Sequence, residues 1–178
     1  KKLTAITQKR ILNFSVPFSP ATAKQALFTF QGDAYSSITA GDYTVAQLHH
    51  AQKHLFILSG LYGALRPLDL MLPYRLEMGC PLSIDEAANL YHYWRDQVTD
   101  IIDQELATDR DKILINLAST EYAKVINQKK LRARMVDIIF KQPHKGAYRT
   151  IPIHAKRARG EFIHFMISNE IDRAEQLK

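Results

Sequence analysis

The sequence predicts an α/β domain (α and β mixed), with a mixed sheet flanked by helices. Three observations carry that prediction. Apolar residues recur at helical spacing in several stretches, as at Val45, Leu48, Ala51 and Leu55. Between such stretches lie apolar runs of strand length, such as residues 112–117, KILINL. The 178 residues, 46% apolar and 24% charged, suit one domain able to bury roughly 70% of its unfolded surface.

The elements follow in order. Ser19-Pro20 reads as an N-cap with proline at the first helical position, which predicts a helix over about residues 20–30. Gly32-Asp33 is a turn, and residues 34–38 suit a short strand. A helix is expected from Asp42 or Thr44 to Leu55, followed by an irregular segment, 58–79. Ser83-Ile-Asp-Glu86 is a capping box, which predicts the longest helix over about 84–107. There Leu90, Trp94, Val98, Ile101 and Leu106 keep core spacing. KILINL then runs into Ser119, an N-cap for a helix over about 120–127. Residues 135–141 and 147–154 read as two strands around the turn 142–146, with Pro152 placing the second at an edge or bulge. A last helix covers about 157–169. Repeats, low-complexity tracts and glycine-serine linkers are absent, so residues 1–178 are expected to form a single domain.

Composition excludes several classes. The chain has no run of 18 apolar residues, which a membrane-spanning helix would need. The first apolar stretch is broken by Lys9 and Arg10, unlike a secretory signal. A lone cysteine, Cys80, rules out an internal disulfide framework and agrees with a reducing cytoplasm. No metal site or cofactor is expected, because His49 and His50 fall on different faces and no Cys pair or HExxH motif accompanies them. Direct iron sequestration is therefore the poorest reading. A monomer is the expected state. The chain begins at Lys1 without a methionine and ends with no obvious stop, so a fragment is expected.

Charge is uneven. Residues 129–160 hold ten basic side chains (Lys129, Lys130, Arg132, Arg134, Lys141, Lys145, Arg149, Lys156, Arg157 and Arg159) against one acid, Asp137, or +9. The remainder holds 14 basic and 17 acidic residues, or −3, within a net +6. Such asymmetry steers anionic partners.

Three stretches place polar groups where backbone must turn. LSGLYGALRPLDLMLPYRLEMG, 58–79, sets two arginines, two acids and a tyrosine among apolar residues, and charges leave water at a cost unless paired. Its Ser59-Gly60-Leu61-Tyr62-Gly63 loosely resembles a helix-hairpin-helix, in which glycine lets backbone amides approach a phosphate. The spacing departs by one residue. NLASTEY, 116–122, ends a strand at a helix start, where free amides favour anions, although Glu121 opposes a phosphate there. HAKRARG, 154–160, offers arginine forks, a lysine and a glycine for close approach. No nucleophile–base pair is legible.

Together, LSGLYGALRPLDLMLPYRLEMG, NLYHYW at 89–94, INLASTEYAK at 115–124 and HAKRARG resemble the YaaA peroxide-stress family, colinearly over nearly the whole chain. Members extend further at both ends, and Arg157 stands where the family usually has lysine. The resemblance implies a cytoplasmic bacterial protein that limits iron-dependent peroxide damage and binds double-stranded or structured DNA without sequence preference. It also implies a helix-hairpin-helix-like element near 44–70 and a basic cleft. On this reading Ser59, Gly60, Tyr62, Gly63, Arg66, Arg75, Lys129, Lys130, Lys156, Arg157 and Arg159 contact DNA. Asp69, Tyr74, Glu77, Asn116, Ser119, Glu121 and Tyr122 form a partly self-paired polar wall. The rival reading is an enzyme acting on a phosphorylated or nucleotide-like small molecule in the same cleft, because acids beside a phosphate cost affinity.

Overall fold

Strands of two to four residues alternate with helices throughout the computed structural model, which describes residues 18–177. The Lys9-Arg10 stretch lies outside them. Strand β1 (Lys24–Gln25) leads into one helical turn, α1 (Ala26–Thr29), and then into 3-10 turns at Tyr35–Ser37 and Ala40–Asp42. Helix α2 (Val45–His54) begins at a full capping box, in which Thr44 accepts from the Gln47 amide and Gln47 accepts from the Thr44 amide. Strands β2 (Ile57–Ser59), β3 (Gly63–Leu65) and β4 (Leu70–Met71) follow, then the long helix α3 (Leu90–Ala107). Strand β5 (Ile113–Asn116), helix α4 (Thr120–Ala123) and strand β6 (Arg134–Asp137) make a parallel crossover unit. Strands β7 (Gln142–His144) and β8 (Ala147–Arg149) form a hairpin before helix α5 (Pro152–Ser168).

The mixed α/β class holds, but the pairing is more fragmented than a single mixed sheet. The described strands form four two-stranded ladders: β1–β4, β2–β3 and β7–β8 antiparallel, and β5–β6 parallel. With so few residues per strand, side-chain packing between ladders and helices carries the core. One cluster gathers Leu76, Met78, Leu90, Val98, Ile102, Val125 and Ile126, and a second gathers Ala26, Ile57, Leu65 and Met71. At roughly 1.5–3 kcal/mol for each fully buried large apolar side chain, these clusters dominate the favourable side of the balance.

Several boundaries differ from the expectation, each for a local reason. The helix expected over 20–30 is only α1, because Ala26 and Leu27 donate their amides to Asp69 and Pro67 across the β1–β4 contact. Residues 34–38 form a 3-10 turn instead of a strand. Helix α3 starts at Leu90, capped by Asn89 on the His92 amide at 3.0 Å, while Ser83 bonds the Ala88 carbonyl. An Ile84–Ala87 bridge with Asp85 at φ +49° occupies the place of the expected first turn. Pro152 is the first residue of α5, where its missing N–H costs nothing, so no strand runs through it.

Candidate nucleic-acid interface

Segment 58–79 begins as a β-hairpin. After α2 comes the β2–β3 ladder, pairing Ile57 with Leu65, Leu58 with Ala64 and Ser59 with Gly63, and no second helix follows within 44–70. This corrects the helix-hairpin-helix expectation. Ile57, Ser59, Gly63 and Leu65 all turn inward, so the hairpin belongs to the core. Its glycines are needed for packing. A Cβ on Gly60 would stand 2.3 Å from the Leu76 carbonyl oxygen, and one on Gly63 would stand 2.6 Å from the Trp94 ring. Trp94 also donates its indole N–H to the Gly60 carbonyl at 3.0 Å. The backbone of this turn is thus approached by the Leu76 backbone and the Trp94 ring, in the place where a phosphate was expected.

Ser59 is fully buried. Its Oγ accepts from the amides of Leu61 and Tyr62 and lies 2.5 Å from the Tyr74 hydroxyl. Tyr74 makes edge contacts with Phe30 and Tyr62, while Phe30 stacks on Tyr35 at 5.3 Å. Burial raises the pKa of Tyr35, Tyr74 and Tyr122, with Tyr122 pushed up to about 12. These phenols stay protonated at neutral pH. The Ser59–Tyr74 pair is a structural hydrogen bond.

The charged residues of this segment divide. Arg66 pairs with Glu105 at 2.9 Å, donates to the carbonyls of Lys53 and Leu55, and lies 3.5 Å over the Phe56 ring. Burial lowers its pKa, and Glu105 partly offsets that. Asp69 accepts from the Arg66 backbone amide at 2.7 Å and closes a turn. Arg75 does pair with Glu77, at 3.0 Å, but both side chains are about half exposed or more. Arg66 is therefore committed inside the protein, and Arg75 faces solvent.

Of the expected polar wall, Tyr74, Glu77, Glu121 and Tyr122 come together, since charge on Glu77 and Glu121 contributes to the raised pKa of Tyr122. Glu121 accepts from the Gly79 amide at 2.8 Å. Ser119 caps α4 through the Tyr122 amide at 3.4 Å. With only four residues, α4 has little macrodipole to offer an anion. Asn116 donates to Asp137 at 2.7 Å, joining the ends of the parallel strands.

Of the ten basic residues in 129–160, three face acids. Lys130 lies 2.7 Å from Asp100, Arg132 lies 2.6 Å from Asp103, and Lys156 lies 3.8 Å from Asp33. Hydrogen bonds from Arg132 hold the Asp103 carboxyl below the usual carboxylate range. The other seven (Lys129, Arg134, Lys141, Lys145, Arg149, Arg157 and Arg159) have no acid partner among the described residues. All are exposed except Arg159, which is half-buried and whose Nε–H lacks an acceptor there. HAKRARG occupies the first turns of α5. Its Gly160 is buried against the Ala34 carbonyl, where a Cβ would approach to 1.9 Å, so this glycine seats the helix on the Tyr35–Ser37 turn.

Lys141, Lys145 and Arg149, counted in the basic segment but left out of the expected DNA contacts, lie on or beside the β7–β8 hairpin: Lys141 just before it, Lys145 at its tip, and Arg149 with Tyr148 on its return strand. A two-residue Lys145-Gly146 turn, both residues at positive φ, was the available signal.

The arrangement defines a mixed α/β protein with a tyrosine-rich core and seven basic side chains in 129–160 that have no acid partner among the described residues. The chain belongs to the family described as "Peroxide stress protein YaaA", whose model matches residues 1–178. A UPF0246 protein of Desulfotalea psychrophila is 52% identical over 153 residues, covering 86% of this chain and 60% of that protein. A UPF0246 protein of Neisseria meningitidis serogroup B is 43% identical over 177 residues, and one of Shewanella loihica is 44% identical over 176. Both alignments cover 99% of this chain and 68% of the relative, so the chain spans roughly two thirds or less of the relatives' length. Among the described residues, no helix is long and apolar enough to cross a membrane.

Proposed function

We propose that this chain serves in the peroxide-stress response by binding the phosphate backbone of double-stranded or structured DNA without reading its sequence, thereby limiting iron-dependent damage. The observation that carries this reading is the set of seven basic side chains in 129–160 that have no acid partner, six of them exposed. Cations without acid partners raise the local positive potential, and an anionic polymer that meets them releases its own counterions. Contacts from such side chains to phosphates fix position and leave sequence unread. Lys129, Arg157 and Arg159 remain in the binding set, joined by Lys141, Lys145 and Arg149, whereas Arg66 and the glycine hairpin support the core.

The test is binding of a fluorescent duplex across a salt series. With about five phosphates contacted, the log–log slope should be about −4 to −5, and unrelated sequences should bind alike. A slope near zero, or a strong preference for one sequence, overturns the reading.

A further inference from the structure

We infer that the β7–β8 hairpin is a ribbon that enters the major groove of duplex DNA, with the first turns of α5 on the flanking phosphates. This rests on the DNA-binding reading above and assigns that binding to one element and one groove. Residues 143–150 are all exposed, so the hairpin stands off the body of the protein. Tyr148 is 73% exposed, and residues 138–160 contain no acid at all. A solvated hairpin has no need to exclude aspartate and glutamate, whereas a hairpin that meets phosphates does.

The register separates two faces. Pro143 opposes Tyr148 on one, while Gln142 opposes Arg149 and His144 opposes Ala147 on the other. Lys145 sits at the tip with φ +48°, followed by Gly146 at +78°, a turn that keeps the ribbon tight. The base of the ribbon is anchored. Gln142 Oε1 lies 2.5 Å from His154 Nδ1 in α5, Thr150 donates to the Phe140 carbonyl at 3.1 Å, and Phe140 packs edge-on to Phe162. That anchorage places the ribbon and Arg157 on one rigid unit. Strands of three residues reach about 10 Å at ~3.3 Å per residue. The major groove is about 12 Å wide and ~8.5 Å deep and admits a two-stranded ribbon, whereas the minor groove, about 6 Å wide, does not.

The experiment uses the whole chain and a 30-base-pair duplex in low salt. Methyl green, which fills the major groove, should displace the protein, and netropsin, which fills the minor groove, should not. Arg149→Glu together with Lys145→Asn should weaken binding at least tenfold. Asn-Gly is a favoured pair for this turn, so Lys145→Asn alone removes charge while preserving the hairpin, and it should still cost about threefold. Tyr148→Ala should cost a similar factor. Displacement by netropsin alone overturns the groove assignment. If the double variant binds like the parent while parental binding remains salt-dependent, the ribbon is wrong and the DNA-binding reading survives. If the parent binds no duplex at all, both fall.

Discussion

Two hairpins of the same size meet opposite fates in this molecule. β2–β3 and β7–β8 are each three-residue antiparallel ladders, and each has a glycine at positive φ, Gly63 at +73° and Gly146 at +78°. The first alternates Ile57, Ser59, Gly63 and Leu65 into the core, and the second leaves nearly every side chain in water. Ladder length is shared although the turns differ, three residues (60–62) against two (145–146), so ladder length does not decide burial. A glycine turn near arginines is thus no evidence of a phosphate site until its backbone is known to be open. In the first hairpin that backbone is covered by Trp94 and Leu76, and in the second a Cβ on Gly146 would meet nothing within 4 Å.

The contrast is sharpest in glycine replacements. Gly60→Ala drives a methyl into the Leu76 carbonyl and should cost about 3 kcal/mol of stability, the upper range for overpacking. Gly146→Ala meets open space and pays only for positive φ, about 1–2 kcal/mol. Urea denaturation of both variants checks this, and equal losses would break the distinction between closed and open hairpins.

A smaller effect separates the two arginines of segment 58–79. Arg66→Ala removes a partly buried ion pair, two carbonyl contacts and the Phe56 stacking, so a loss of about 2 kcal/mol is expected. Arg75→Ala breaks a solvent-exposed pair with Glu77 and should change stability by less than about 0.5 kcal/mol. The sequence reading set both arginines among the DNA-contacting residues. A loss at Arg75 as large as that at Arg66 would show that Arg75, too, is committed inside the protein.

The smallest expected effect is alkaline. Tyr122 is raised by burial from 10 to about 12 in the folded protein. The folded pKa lies above the unfolded one, so its contribution is intact below pH 10 and is lost as pH rises toward 12. Stability measured at pH 9 and pH 11 should therefore fall, and Tyr122→Phe should make that fall shallower. An unchanged slope in the variant would mean that this phenol is as open as one on the basic face.

Much of this was legible along the chain. Helix α2 starts after Thr44, Ser119 caps α4, and KILINL is a strand, because capping and strand-length apolar runs depend on near neighbours. The charge asymmetry of 129–160 was equally plain, being a property of composition. Other signals were ambiguous for local reasons. Ser83 and Asn89 both offer a cap, and only Asn89 is used. Pro152 suits an edge strand or a first helical turn, and tertiary contacts through Ala155 and Gly160 favour the helix.

By itself, then, the sequence determined the mixed α/β class, the starts of α2 and α4, the strand after α3 and the presence of a basic segment. Tertiary structure alone decided which charges are spent inside the protein. Arg66 finds Glu105, 39 positions away, and passes over Asp69, three positions away, while Lys130, Arg132 and Lys156 find acids brought near by α3 and by the turn at Asp33. The reason is physical: an ion pair depends on distance in space and on the water displaced around it, and neither is a function of spacing along the chain.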